Sequence, residues 1–163
     1  GYRTKEKMPT NLGEFKLPLG QVERLSEGSD LTLVSYGSTL NLCIQALPIL
    51  EELGISVELL DVQTLLPFDL SHDIVKSLQK TNRLLIVDED VSAGATAYIL
   101  EKILVEQSGY YHLDEAPQTL SAKDHRPAYG SDGDYFSKPS IDDIVEKVYE
   151  MMSKANPNAF PTL

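Results

Sequence analysis

The sequence predicts an α/β fold, with a parallel sheet covered by helices on both faces. Three observations carry this prediction. Leu31–Tyr36 and Arg83–Asp88 are nearly continuous apolar runs rich in branched residues, as strands buried on both faces require. The stretch Leu31-Thr-Leu-Val-Ser-Tyr-Gly-Ser38 is followed, after a helical pattern, by Gly54 through Asp69, which together spell strand, glycine turn, helix, strand and a proline-marked exit. Strands and helices then keep alternating, and such chains close through right-handed crossovers.

Residues 1–19 mix Lys and Glu with Pro9, Gly13 and Pro18, show no periodicity and read as a linker, its first residues Gly1–Lys5 as a cut through it. Gln21–Leu25 reads as a short edge strand and Ser26–Asp30 as a turn. Leu31–Tyr36 is the first buried strand. Ser38 is placed to cap a helix whose inner face is Leu40, Cys43, Ile44, Leu47, Leu50 and Leu53, with Pro48 bending it and Gly54 ending it. Ser56–Val62 is the next strand, and Asp69 or Ser71 opens a second helix that turns Ile74, Val75 and Leu78 inward. Arg83–Asp88 follows as a third buried strand, then a helix over 95–107 with Ile99 and Ile103 inside, then a strand at Gln118–Lys123. Ser140-Ile-Asp-Asp143 has the spacing of a capping box and opens a last helix with Ile141, Ile144, Val145, Val148 and Met152 inward. Residues 154–163 read as a tail.

A length of 163 residues with 42% hydrophobic content supports one domain with a sizeable core. No apolar run reaches the roughly 18 residues needed to span a bilayer, and no signal-peptide pattern opens the chain. A single cysteine, Cys43, cannot close an internal disulfide, which points to a reducing, cytoplasmic setting, and its neighbours Leu40, Ile44 and Leu47 make it a core thiol. The net charge of −11 argues against nucleic acid, because nothing would neutralise the phosphates, and it suits a basic protein partner.

In open α/β sheets ligands favour the crevice at the carboxyl ends of the strands. Two loops face it here, Tyr36-Gly37-Ser38 and Asp88 through Gly94. Asp61, at the end of the next strand, sits where a dinucleotide fold keeps its ribose-binding acid. However, the loop carries one glycine instead of three, and Asp88, Glu89 and Asp90 repel a pyrophosphate. Ser131-Asp-Gly-Asp134 followed by Asn156-Pro-Asn158 departs from the Gly-Asp-Gly…Asn signature that holds magnesium and a diphosphate, since it lacks the leading glycine and no buried strand precedes it. His72, His112 and His125 fall on different elements and give no zinc spacing. Ser38 lacks the Gly-x-Ser-x-Gly elbow of serine hydrolases. Asp142, Asp143, Glu146 and Glu150 share the outer face of the last helix, where they suit either solvent or an acidic docking patch, and the first two also suit its N-terminal dipole.

Taken together, Pro18-Leu-Gly20, Gly28-x-Asp30-Leu-Thr-Leu-Val-Ser-Tyr-Gly37, Leu60-Asp-Val-Gln-Thr-Leu-Leu-Pro-Phe-Asp69, Lys80-Thr-Asn-Arg-Leu-Leu-Ile-Val-Asp-Glu89, Gly94 and Pro127-Ala-Tyr129 make the chain resemble the C-terminal domain of the transketolase-like superfamily. More narrowly, it is similar to the beta subunit of the thiamine-diphosphate-dependent decarboxylase component of 2-oxo acid dehydrogenase complexes, for pyruvate or for branched-chain 2-oxoisovalerate. The similarity spans about residues 16–152, and Tyr2-Arg3 resembles the end of the family's interdomain linker. It departs from that pattern at Gln63, where arginine is frequent, at Tyr98, where glutamate is frequent, and in the extension Gly130–Pro139.

The resemblance implies a three-layer α/β/α sandwich around a five-stranded, mostly parallel sheet whose first strand is antiparallel, with 1–19 as interdomain linker, 20–153 as the domain and 154–163 as a C-terminal tail. It implies that thiamine diphosphate and magnesium sit between the other domains of the parent enzyme, so that this chain carries no catalytic, cofactor-binding or metal-ligating residue. It further implies a role in the subunit interface with the alpha part, in a homo-oligomer or heterotetramer, and in docking the basic domain of the lipoyl acyltransferase. Asp124, Asp142, Asp143, Glu146 and Leu163 are the docking candidates. A transketolase, a deoxyxylulose-phosphate synthase, a stand-alone nucleotide-binding module and a purely structural dimerisation domain remain the alternatives.

Overall fold

The computed structural model describes residues 7–8, 10–11, 13–14, 16–126, 129–130 and 133–162, the side chain of Asp134 aside. The strands are β1 (Glu23–Ser26), β2 (Leu31–Ser35), β3 (Val57–Asp61), β4 (Leu84–Val91) and β5 (Gln118–Ala122). They form one sheet in the order β1-β3-β2-β4-β5, with β1 antiparallel to β3 and the other pairs parallel. This is the mixed, five-stranded sheet that the resemblance implied. Helices α1 (Gly37–Glu52) and α5 (Ile141–Ala155) cover one face. Helices α2 (Asp73–Thr81) and α3 (Ala95–Glu101) cover the other, and a short α4 (Gly133–Ser137) precedes α5.

Strand alternation divides the core in two. Leu31, Leu33, Val57, Leu59, Leu85 and Val87 face α1 and α5, where they meet Cys43, Leu50, Ile144 and Val148. Val34, Leu60, Leu84 and Ile86 face α2 and α3, where they meet Ile74, Leu78, Ile99 and Ile103. A buried hydroxyl trio also ties β2 to α2: Thr32 Oγ1 lies 2.7 Å from Ser77 Oγ and 2.6 Å from Thr81 Oγ1.

Helix α1 departs from its predicted register. Tyr36 stands at its cap and Ser38 lies inside the helix, because Gly37 adopts a left-handed φ of 61° that starts the turn one residue earlier. The buried face is Thr39, Cys43, Ala46 and Leu50, while Ile44 and Leu53 are exposed. Small residues at Thr39 and Ala46 let the helix lie close to the sheet, which rotates the larger Ile44 outward. Gly54 ends the helix as predicted: its N–H reaches Glu51 O and that of Ile55 reaches Leu50 O, both at 2.9 Å, the paired bonds of a Schellman motif around a φ of 78°.

Other boundaries shift for local reasons. The edge strand is displaced to Glu23–Ser26, with a register shift between Arg24 and Ser26 against β3. Helix α2 begins at Asp73, and the 95–107 helix turns into a π-helical segment at Lys102–Glu106 closed by Gln107 N–H on Lys102 O at 2.9 Å. A 3₁₀ turn at Gly109–His112 and α4 were not foreseen. The capping box at Ser140 is present, with Ser140 Oγ accepting from Asp143 N–H at 3.2 Å and the Asp143 carboxylate accepting from Ser140 N–H at 2.8 Å. The last helix runs to Ala155, and the segment beyond it folds back: Phe160 stacks edge-on against Tyr149, whose hydroxyl donates to Pro161 O at 3.0 Å.

One buried acid links three elements. Glu58 on β3 is 1% exposed, pairs with Lys80 on α2 and with Arg24 on β1 at 3.4 Å, and accepts from Gly28 N–H at 3.4 Å. Burial pushes its carboxyl up, but Lys80, the Gly28 amide and the Ser77 hydroxyl together outweigh burial and hold it below its ordinary 4.5. A depressed carboxyl stabilises the fold above its unfolded value, and that contribution fades as pH falls through the lower, folded value. Glu58→Gln is therefore expected to flatten the loss of stability below pH 4.5, read by urea unfolding at pH 3 to 7. An unchanged pH slope would contradict this coupling.

Candidate functional site at the carboxyl end of the sheet

The carboxyl ends of β3, β2 and β4 carry Asp61, Ser35 and Asp88, and β4 continues outward through Glu89, Asp90 and Val91. Strand order reverses here: β3 and β4 flank β2 on opposite sides. This is the crevice where an open α/β sheet places a ligand. Ser35 Oγ donates to Val87 O at 2.9 Å and reaches Thr39 Oγ1 at 3.0 Å, so it serves the packing between β2, β4 and α1.

Asp61 is buried, accepts Gln63 N–H at 3.2 Å and also takes the Gln63 side-chain amide. Burial raises its carboxyl, and the two Gln63 bonds offset this only in part. Its acceptor positions are turned to the chain's own loop and not to a ribose. At the start of α1, the Ser38 hydroxyl and the Lys138 ammonium hold the Glu89 carboxyl below its ordinary range, with Lys138 Nζ 3.2 Å away. A carboxylate therefore occupies the place where a helix N-terminus would receive a phosphate.

Next to Glu89 lies a groove of about 860 Å³ between α1 and the α4–α5 junction, floored by Leu42, Ile49, Pro139 and Ile141 and flanked by Tyr135 and Asp142. Sequence reading missed it, because it depends on α4, which folds within the extension at Gly130–Pro139. The exposed pair Tyr135 and Phe136, stacked edge-on at 5.8 Å, was the available signal.

The docking candidates are brought together in part. Asp124 lies in the exposed turn after β5, and that turn is tied to α4 by Lys123 N–H on Ser137 O at 2.9 Å. Asp142 is exposed on the other side of α4 and accepts from Tyr135 Oη at 3.0 Å. Asp143 spends its carboxylate on the capping box, including the Ser140 hydroxyl at 2.6 Å. Glu146 is exposed one turn on, beside a shallow depression that also touches Tyr149 and Thr162. Leu163 lies outside the described residues. Glu150, on the same face, is neutralised by Lys147 at 3.0 Å and Lys154 at 2.5 Å, which bring its carboxyl down to about 2.

A thiamine diphosphate–magnesium site does not fit these residues. Among the described residues no three His, Cys, Asp or Glu side chains converge on a metal position. Asn156, the partner in the Gly-Asp-Gly…Asn comparison, turns its Oδ1 to Ala159 N–H at 3.2 Å, and Ser131 and Asp132 fall outside the described residues. The three histidines stay apart: His72 precedes α2 without a side-chain cap bond, His112 meets Gln79 at 3.5 Å and His125 meets Arg126 O at 2.9 Å. No helix among the described residues is long and apolar enough to cross a membrane.

Comparison with known proteins places this architecture. Residues 20–141 match the family model of the transketolase C-terminal domain. The chain is 32% identical over 152 residues to a pyruvate dehydrogenase E1 component subunit beta of Mesostigma viride, covering 93% of this chain and 45% of that protein. It is 40% identical over 114 residues to a mitochondrial 2-oxoisovalerate dehydrogenase subunit beta of Chaetomium thermophilum, covering 69% of this chain and 24% of that protein. Among solved structures it is similar to a split-gene transketolase, an inactive beta4 tetramer, with a TM-score of 0.68 at 22% identity over 86% of this chain and 45% of that one. The chain thus spans less than half the length of these relatives. On the family match and the sheet order together, this chain belongs to the transketolase C-terminal domain family.

Proposed function

We propose that this chain is the C-terminal assembly and partner-docking domain of a thiamine-diphosphate-dependent 2-oxo acid dehydrogenase decarboxylase component. The parent reaction is oxidative decarboxylation of pyruvate or a branched-chain 2-oxo acid, with acyl transfer to lipoamide. The observation that carries this reading is the similarity, along 93% of the chain, to a pyruvate dehydrogenase E1 beta subunit. The carboxyl end of the sheet supports it from the other side, since Asp61, Glu89 and the helix start are engaged by Gln63, Ser38 and Lys138 in place of a phosphate.

In this reading residues 1–19 link to the remainder of the enzyme, 20–153 form the domain and 154–163 the tail. The remainder of the enzyme, including an alpha part, holds thiamine diphosphate and magnesium, and the cofactor supplies the carbanion chemistry there. The outward acids Asp142 and Glu146, the Asp124 turn and the chain end at Leu163 meet the basic domain of the lipoyl acyltransferase, while Asp143 holds the start of α5 in place. The lone, buried Cys43 is consistent with a reducing compartment such as the cytoplasm.

Isothermal titration of the chain with thiamine diphosphate and magnesium is expected to give no saturable heat. Saturable binding at micromolar cofactor would contradict the assignment of the cofactor to the rest of the enzyme.

A further inference from the structure

Outward carboxylates steer a basic partner to a surface more than they hold it there. Holding needs a desolvated apolar contact, and the groove between α1 and the α4–α5 junction offers one. Ser38, Leu42 and Ile49 line it from α1, and their spacing puts them on one stripe of the helix about 16 Å long. Pro139 and Ile141 line it from the α4–α5 junction. Its volume of about 860 Å³ lies within the range of ligand pockets, roughly 300–1,000 Å³. Ile49 is 40% exposed there, and the exposed Tyr135 ring stands at the edge with Phe136 stacked against it.

The charges around the groove select its occupant. Two carboxylates, Glu89 and Asp142, and one ammonium, Lys138, line it, which leaves an excess of negative charge. Lys138 Nζ lies 3.2 Å from Glu89, while Asp142 accepts from Tyr135 Oη at 3.0 Å and stays exposed at the rim. A fatty acid or other anion would bring its head group against these carboxylates. A second copy of this chain would bring a net charge of −11 onto a like-charged surface. A basic segment with an apolar stripe satisfies both the floor and the rim, and a helix suits a groove that follows about three turns of α1.

We propose that this groove seats an amphipathic, basic helix of a partner polypeptide, with its apolar side chains on Leu42, Ile49, Pro139 and Ile141 and a flanking lysine or arginine on Asp142. The inference rests on the reading that Asp142 belongs to a docking face for a basic domain. It adds an apolar anchor, which salt does not screen, to a contact otherwise held by charge.

The test is a calorimetric titration of the 163-residue chain and its variants with the basic domain of a lipoyl acyltransferase, at low and high salt. Ile49→Gln changes no charge and is expected to weaken binding about fivefold or more at both salt concentrations. Ile44→Gln is the matched control: Ile44 is 41% exposed on the same helix, outside the groove lining, and its replacement is expected to leave affinity unchanged. Because the two positions are equally exposed, the comparison also controls for any loss of helix stability. Asp142→Asn is expected to weaken binding at low salt and to matter less at high salt. Parent affinity in Ile49→Gln, or equal losses in the two isoleucine variants, would overturn the groove while the docking reading stands on the outward acids. No binding by the parent chain would overturn both. Sedimentation equilibrium showing the chain paired with itself, with the pair lost in Ile49→Gln, would give the groove to a second copy and overturn the basic helix.

Discussion

Gly28→Ala is expected to destabilise the fold by about 3 kcal/mol or more. A Cβ at Gly28 would lie 2.2 Å from the Val57 carbonyl carbon and 2.3 Å from the Glu58 nitrogen. These are backbone atoms of β3, a strand held on both sides by β1 and β2, so neither can yield without breaking the ladder. Moving the turn away would also pull the Gly28 N–H off Glu58 Oε2. Gly54→Ala gives the contrasting case: nothing lies within 4 Å of its Cβ, and the cost is confined to a left-handed φ of 78°, about 1 kcal/mol. Urea unfolding of both variants separates the two causes. For a chain of this length 3 kcal/mol corresponds to a drop of roughly 10 °C in Tm. Equal costs at the two sites would contradict the close approach of the turn to β3.

Asp69→Ala is expected to cost about 3 kcal/mol through a different route. Asp69 is fully buried, and its two carboxylate oxygens accept the N–H groups of Asp73 and Ile74, each at 2.9 Å. These are orphan donors at the start of α2, and Ile74 is itself buried, so truncation leaves donors that water cannot reach. Burial raises the Asp69 carboxyl above its ordinary 3.8, and the two amides offset this only partly. A raised acid favours the fold in its protonated form, so its contribution is full below pH 3.8 and declines as pH rises through the folded value. Asp69→Asn keeps an acceptor and removes the buried charge, and is expected to cost about half as much at pH 7. Thermal unfolding of the two variants checks this order. A more damaging Asn than Ala would contradict the capping role.

These two residues also show what the sequence discloses and what it hides. Ser26–Asp30 is legible as a turn, but a turn glycine reads the same whether it needs space or a left-handed φ. At Gly28 the reason is the backbone of β3, almost thirty residues away. Asp69 is legible as a helix start, yet the chain enters α2 through His72 at a φ of 56°, and Asp69 caps the helix from outside it. The alternation of apolar runs and 3.6-residue patterns is local, so the α/β class and the paired cores follow from it directly. The rotation of Ile44 to the surface of α1 depends on how close Thr39 and Ala46 let the helix come, which is a property of packing.

The site was legible to a similar extent. Counting glycines and acids turns the reading of the Tyr36-Gly37-Ser38 loop away from a nucleotide, and in the fold Glu89, held by Ser38 and Lys138, lies at the start of α1. The candidate docking acids of the last helix look equivalent in sequence because they share one helix face. In the structure Asp143 is used by the capping box and Glu150 by two lysines, which leaves Asp142 and Glu146 facing outward. The groove beside α4 was beyond reach, since it is built from an extension with no periodicity to read.

The most direct measurement of the central reading is a calorimetric titration of the chain with the basic domain of a lipoyl acyltransferase from a 2-oxo acid dehydrogenase complex, at low and high salt. The parent chain is expected to bind, and to bind less tightly as salt rises, as charge-driven association requires. Charge reversal at Asp142 and Glu146, with Asp143 untouched so that the capping box survives, is expected to weaken binding at least tenfold. Equal affinity of the reversed and parent chains, or no binding by either, would contradict a docking domain.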